Sequence, residues 1–181
     1  SEMPTERIVT GGGLFHGVQL WVNLPRSEKW TPPKYQDLEP DSTVLLATDD
    51  AGAVVRLIAG ELAGHRGPGS TRTPITYAHS SVSPGARLRI PWRPDFNALV
   101  YVLAGSGSIG ADRRPIREGQ LASMGEGELL TILSDANHDS RSPALEVLLL
   151  GGKPIREPIS WHGPFVMNTR DEIIQAFQDY Q

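Results

Sequence analysis

The chain has 181 residues, a net charge of −4, 39% hydrophobic residues and no cysteine. That length fits one domain with an appended piece, and the missing thiols exclude disulfide scaffolds, thiol catalysis and Cys-ligated metal centres. Acids and bases are interspersed, so no basic stripe marks a nucleic-acid binder, and no apolar run approaches the roughly 20 residues that span a bilayer.

The first residues, "SEMPTER", carry no initiator Met and no targeting pattern, which reads as a soluble, non-secreted chain. In "GVQLWVNL" the residues alternate, with Val18, Leu20 and Val22 on one side and Gln19, Trp21 and Asn23 on the other. Period two predicts a strand. The next stretch, "PRSEKWTPPKYQDLEPDS", holds Pro25, Pro32, Pro33 and Pro40 and reads as an extended linker. It leaves residues 1–25 as a piece too small to bury its own apolar face.

Eight short runs follow: "TVLLAT", "AVVRLIAGEL", "ITYAHSSV", "ARLRIPW", "ALVYVLAG", "GSIGA", "LLTIL" and "LEVLLL". They are rich in Val, Leu and Ile and separated by Gly and Pro, the pattern of an all-β sandwich or barrel. Several are apolar on consecutive residues, which predicts burial on both faces. Between them, "DRRPIR" gathers Arg113, Arg114 and Arg117 beside Asp112 and Glu118, and reads as a solvated turn. The chain closes on "NTRDEIIQAFQDY", where Thr169 and Glu172 have capping-box spacing. The helix this predicts carries Ile173, Phe177 and Tyr180 on one face with Ile174 beside them, ready to pack on the outside of a sheet.

Three blocks carry a family resemblance. "GVQLWVNLPRSEKWTPPKYQDL" resembles the segment that joins the two halves of pirin-family proteins. "GGKPIREPISWHGPFVMNT", with the helix after it, is similar to the pirin C-terminal signature, and "SEMP" resembles the end of the N-terminal half, where the pattern is His-x-Glu-Met-Pro. The resemblance implies a bicupin. Here it would comprise a C-terminal cupin barrel (a double-stranded β-helix or jelly roll) with its helix at 41–181, a Pro-rich linker at 26–40, and orphan strands of a preceding barrel at 1–25.

In that family, iron is held in the N-terminal barrel by three His and a Glu. Glu2 falls on the Glu place, so it would ligate iron only together with upstream His residues. The resemblance implies quercetin 2,3-dioxygenase-type activity for the parent, on a flavonol-like small molecule. The alternative is an iron- and redox-dependent regulator that binds a transcriptional or metabolic protein. It further implies a cytoplasmic protein, or a nuclear one in a eukaryote. No catalytic residue is assigned, and no cofactor is expected in this chain itself. Residues 1–25 are expected to pair with the N-terminal half of the same protein or with a second copy; neither nucleic acid nor membrane is an expected partner.

Whether the C-terminal barrel has its own metal site can be read from the cupin skeleton. The outer glycines match Gly85 and Gly105 in the first element and Gly119 and Gly127 in the second. The ligand places, which are expected to face the inside of the barrel, hold Pro91, Arg93, Ala98 and Leu130, none of them a usual iron ligand. His16, His65, His79, His138 and His162 are isolated along the chain, so each reads as a structural or surface residue. "GSGSIG" has the letters of a phosphate loop but opens no helix. "HSS" at 79–81 gives no Ser-His-Asp set.

Overall fold

The computed structural model describes residues 6–12 and 16–180. A short helix α1 (Glu6–Gly11) precedes an arm over 16–25 that has no strand. Period two is present in the arm, yet a strand also needs a ladder partner, and among the described residues the arm has none. The linker is largely extended, as its prolines demand, with single 3-10 turns at Arg26–Glu28 and Pro40–Ser42.

From residue 44 the strands succeed one another: β1 (Val44–Ala47), β2 (Ala53–Leu62), β3 (His65–Arg66), β4 (Ile75–Val82), β5 (Arg87–Pro91), β6 (Asn97–Ala104) and β7 (Ser106–Ile109). After them come β8 (Arg114–Arg117), β9 (Leu121–Ser123), β10 (Leu129–Ser134), β11 (Leu145–Gly152), β12 (Ser160–His162), β13 (Phe165–Met167) and helix α2 (Arg170–Tyr180). All eight expected runs form strands. "DRRPIR" splits: its first half is a turn, while Arg114–Arg117 pairs with β7 and sends Ile116 into the core.

The large sheet has the order β1-β2-β4-β11-β6-β9 with β3 beside β2, and the small sheet β5-β10-β7-β8; every ladder in them is antiparallel. The two sheets enclose one core, in which Leu57, Leu88, Val100, Ile132, Val147 and Leu149 are sealed from solvent. Ser80 is sealed with them, and its hydroxyl donates to the Val54 carbonyl at 3.0 Å, which removes the cost of burying it. Most strands bury one face only. β4 and β6 alternate residue by residue, whereas β11 alone buries three in a row, Val147 to Leu149. The expectation of burial on both faces therefore fails for most strands: consecutive aliphatics such as Leu99 and Val100 divide between a half-buried outer face and the core.

β12 and β13 form a separate hairpin on which α2 lies. The capping box is present: Glu172 N–H donates to Thr169 Oγ1 at 3.2 Å and Thr169 N–H to Glu172 Oε2 at 3.0 Å. Ile173 and Ala176 pack with Met167, while Phe177 lies against the rings of Phe165 and His162. The apolar stripe thus meets the small hairpin and not the outside of a barrel sheet, and Tyr180 stays exposed. Among the described residues no helix is long and apolar enough to cross a membrane.

Candidate functional site

Small-molecule sites in β-barrels form preferentially at the mouth, so the lining there decides what this barrel can do. On β5 the alternation sends Leu88 and Ile90 inward, and Trp92 continues that side. Pro91 and Arg93 therefore face outward. This corrects the expectation that the four ligand places all point inside: burying the Trp92 indole sets the parity, and its neighbours must take the other face. Arg93 pairs with Asp95 at 2.8 Å and lies 4.2 Å over the Phe96 ring. Its hydrogen bonds hold the Asp95 carboxyl below its ordinary value. Ala98 and Leu130 do lie inside, both buried.

Ala98 and Leu130 line a cavity of about 1040 Å³ at the barrel mouth, together with Trp92, Phe96 and Met124. The Trp92 indole N–H donates to the Asn97 carbonyl at 3.3 Å, and Gly151 leaves room for the ring, since a Cβ there would come within 2.4 Å of it. The outer glycines of the skeleton act as expected where left-handed backbone is required: Gly85, Gly105 and Gly119 have φ of +73°, +86° and +80°. The result is a concave site with an apolar floor, charged residues such as Asp112, Arg114, Glu126 and Glu128 in its lining, and no first-row metal donors at the ligand places. Among the described residues no group of three or more His, Asp or Glu side chains could hold a metal ion.

Glu2 lies outside the described residues. The five histidines do not meet. His16 and His65 are exposed, His162 touches Phe177, and both ring nitrogens of His138 are buried without a hydrogen-bond partner. His79 lies on the outer face of the large sheet with Nε2 2.9 Å from Glu146. The Ser81 hydroxyl donates to that same carboxylate at 2.6 Å, and Ser142 donates to its other oxygen at 3.0 Å. Because Ser81 donates to the carboxylate and not to the imidazole, the group is no nucleophilic triad. It joins β4, β11 and the loop before β11, and the sequence gives no sign of it because Glu146 is remote from His79.

A second concavity of about 380 Å³ lies at the end of the large sheet's outer face, between the arm and the strap after β11. Leu20, Trp21, Leu99, Leu150, Ile155 and Ile159 supply apolar wall. Nearby on this face, burial raises the Tyr77 hydroxyl above its ordinary value.

Comparison with known proteins places this geometry in a family. The family described as the pirin C-terminal cupin domain matches residues 77–181. A pirin-like protein of Solanum lycopersicum is 37% identical over 182 residues, covering 100% of this chain and 58% of the relative. Pirin of Homo sapiens is 37% identical over 168 residues, covering 92% of this chain and 56% of the relative. The chain therefore spans a little over half the length of these curated relatives. Among solved structures, quercetin 2,3-dioxygenase from Acinetobacter baumannii superposes with a TM-score of 0.80 at 32% identity, over 88% of this chain and 53% of that one. With a cupin barrel, a Pro-rich lead-in and a capped C-terminal helix in one chain, this protein belongs to the pirin family.

Proposed function

We propose that this chain is the C-terminal scaffold half of an iron-dependent bicupin with quercetin 2,3-dioxygenase-type activity, working in the cytoplasm. The observation that carries the proposal is the absence of a donor at the ligand places of this barrel. Aliphatic carbon at Ala98 and Leu130 offers a metal no lone pair, and among the described residues no three His, Asp or Glu side chains converge, so the ligand places of this barrel do not fit iron. In this reading the metal belongs to a preceding barrel, to which Glu2 adds its carboxylate. Similarity to the Acinetobacter baumannii dioxygenase supports the choice of reaction.

In the same reading, residues 16–25 complete their ladder on that preceding barrel or on a second copy. Val18, Leu20 and Val22 stay largely exposed in the isolated chain, which supports this assignment. A second reading has its own support. Trp21 is 61% exposed and Ile159 71% exposed beside the outer groove, and exposed apolar residues of this size suit a protein partner. There the parent is an iron-dependent regulator.

One experiment separates the readings. A longer protein carrying the preceding barrel is loaded with iron, and quercetin consumption is followed with the 181-residue chain as background. Turnover by the long form and none by the short form is the expected result, with iron retention weakened by Glu2→Gln. Tight iron without turnover, but with partner affinity that follows oxidation state, selects the regulator. Turnover by the short chain overturns the scaffold assignment.

A further inference from the structure

The outer face of the small sheet carries a feature that neither iron nor a flavonol uses. Because Leu88 and Ile90 enter the core, Arg87 and Arg89 must both stand on the outer side of β5. Across the ladder Arg89 is opposite Thr131 and Arg87 opposite Leu133, which is in turn opposite Ser108. The turn between β7 and β8 then adds a third cation. Its last residue, Arg113, is held at φ +51° with its N–H on the Gly110 carbonyl at 3.3 Å. Arg87, Arg89 and Arg113 line one cavity of about 190 Å³ with the Ser108 and Thr131 side chains.

These three guanidinium groups share one cavity with no carboxylate beside them; among the described residues Arg56, Arg117, Arg156 and Arg170 also lack an ion pair but do not line that cavity. Arg26, Arg66, Arg72, Arg93, Arg114 and Arg141 each have a carboxylate within 4.0 Å. Among the described residues Arg87, Arg89 and Arg113 have none within that reach. The acids that flank this face in sequence are otherwise engaged: Asp112 lies 3.9 Å from Arg114, and Asp135 accepts from the Ser106 hydroxyl at 2.6 Å. A guanidinium does not shed its proton, so the cavity keeps its positive charge and favours an anion. A planar carboxylate satisfies one guanidinium fork. A tetrahedral oxyanion presents acceptors in several directions and suits cations arriving from two elements, with two hydroxyls between them. The volume is below the roughly 300–1,000 Å³ of sites for drug-sized ligands, and suits a phosphate or diphosphate group with a few waters.

We propose that the cavity formed by Arg87, Arg89 and Arg113 with Ser108 and Thr131 binds the phosphate group of a small soluble ligand. The site lies on the outer face of the small sheet, and it borders the cavity at the barrel mouth through Gly110, Ala111 and Thr131.

Calorimetric titration of the 181-residue chain with inorganic pyrophosphate, at roughly 0.15 M salt to suppress general electrostatics, tests it. The expected result is saturable binding to one site, weakened at least about tenfold by Arg89→Gln and by Arg113→Gln, with melting temperatures unchanged. Arg66→Gln, which removes a cation elsewhere on the barrel, should leave the affinity intact. Three results would overturn the proposal: no saturable binding at millimolar pyrophosphate, equal weakening by Arg66→Gln, or citrate binding as tightly as pyrophosphate. Cosedimentation with phosphatidylserine vesicles without pyrophosphate binding would overturn the soluble ligand in favour of a lipid headgroup.

Discussion

The barrel and the C-terminal lobe are held by different forces. In the barrel, twenty buried apolar side chains form one cluster that joins both sheets. In the lobe, among the described residues, only Met167, Ile173 and Ala176 are buried, with Phe165 and Phe177 packed beside them, and the linker is tied to it by polar bonds. Arg26 donates its backbone N–H to Glu157 at 2.7 Å and its Nε to Glu172 at 2.7 Å. Lys29 Nζ reaches Asn23 Oδ1 at 2.7 Å and the Val166 carbonyl at 2.8 Å, and this partial burial lowers its pKa against the pull of Glu157 and Glu172. The difference teaches what each region responds to. Apolar burial scales with area and resists salt, whereas the arm, the linker and the helix cap share a few charged bonds that salt and acid weaken.

The sharpest break of that comparison is in the barrel backbone. β2 carries a bulge between Leu57 and Ala59, and Gly60, at φ +81°, lets the ladder to β4 resume. A Cβ there would lie 1.7 Å from the Ile75 carbonyl oxygen, with no flexible side chain to yield. Gly60→Ala should cost about 4 kcal/mol or more, read as loss of the cooperative melt or of folded protein. Next comes the core itself. Leu149→Ala removes a fully buried side chain between the sheets and should destabilise by about 3 kcal/mol in urea denaturation with the slope unchanged. A loss below about 1 kcal/mol would show that the core there is loose.

The lobe should answer to smaller changes and leave the barrel standing. Burial pushes the Glu172 carboxyl up, but the N–H groups of Asn168 and Thr169 and the Arg26 guanidinium outweigh it and hold the pKa below its ordinary 4.5. A lowered folded value means that the tie is complete above the unfolded pKa and is lost as pH falls through the folded one. Hydrogen-exchange protection over 170–180, corrected for the intrinsic pH dependence of exchange, should therefore fall below pH 4.5 while β4, β6 and β11 stay protected. Glu172→Gln should accelerate exchange in the same amides at neutral pH and remove that acid dependence. Uniform acceleration across the barrel would mean that lobe and barrel unfold as one unit. The smallest effect is expected at Arg93→Ala. Both side chains of its pair with Asp95 are about half exposed and screened by solvent, so the melting temperature should hardly move.

Residue order alone determined the eight apolar runs that became strands, the turn glycines at 85, 105 and 119, the helix with its Thr169–Glu172 cap, and the family. All of these depend on neighbours within a few positions, or on a chain-long pattern of them. The tertiary structure decided the rest, because it depends on residues far apart in sequence. The arm at 16–25 is not a strand despite its alternation, since only a partner can complete a ladder. Pro91 and Arg93 face outward because Trp92 takes the inside of β5, a choice of parity that reverses every side chain on the strand. Arg113, read as part of a solvated turn, joins Arg87 and Arg89 because β10 lies between β5 and β7 in the small sheet. Charge is written in the sequence, but convergence of charge is set by strand order.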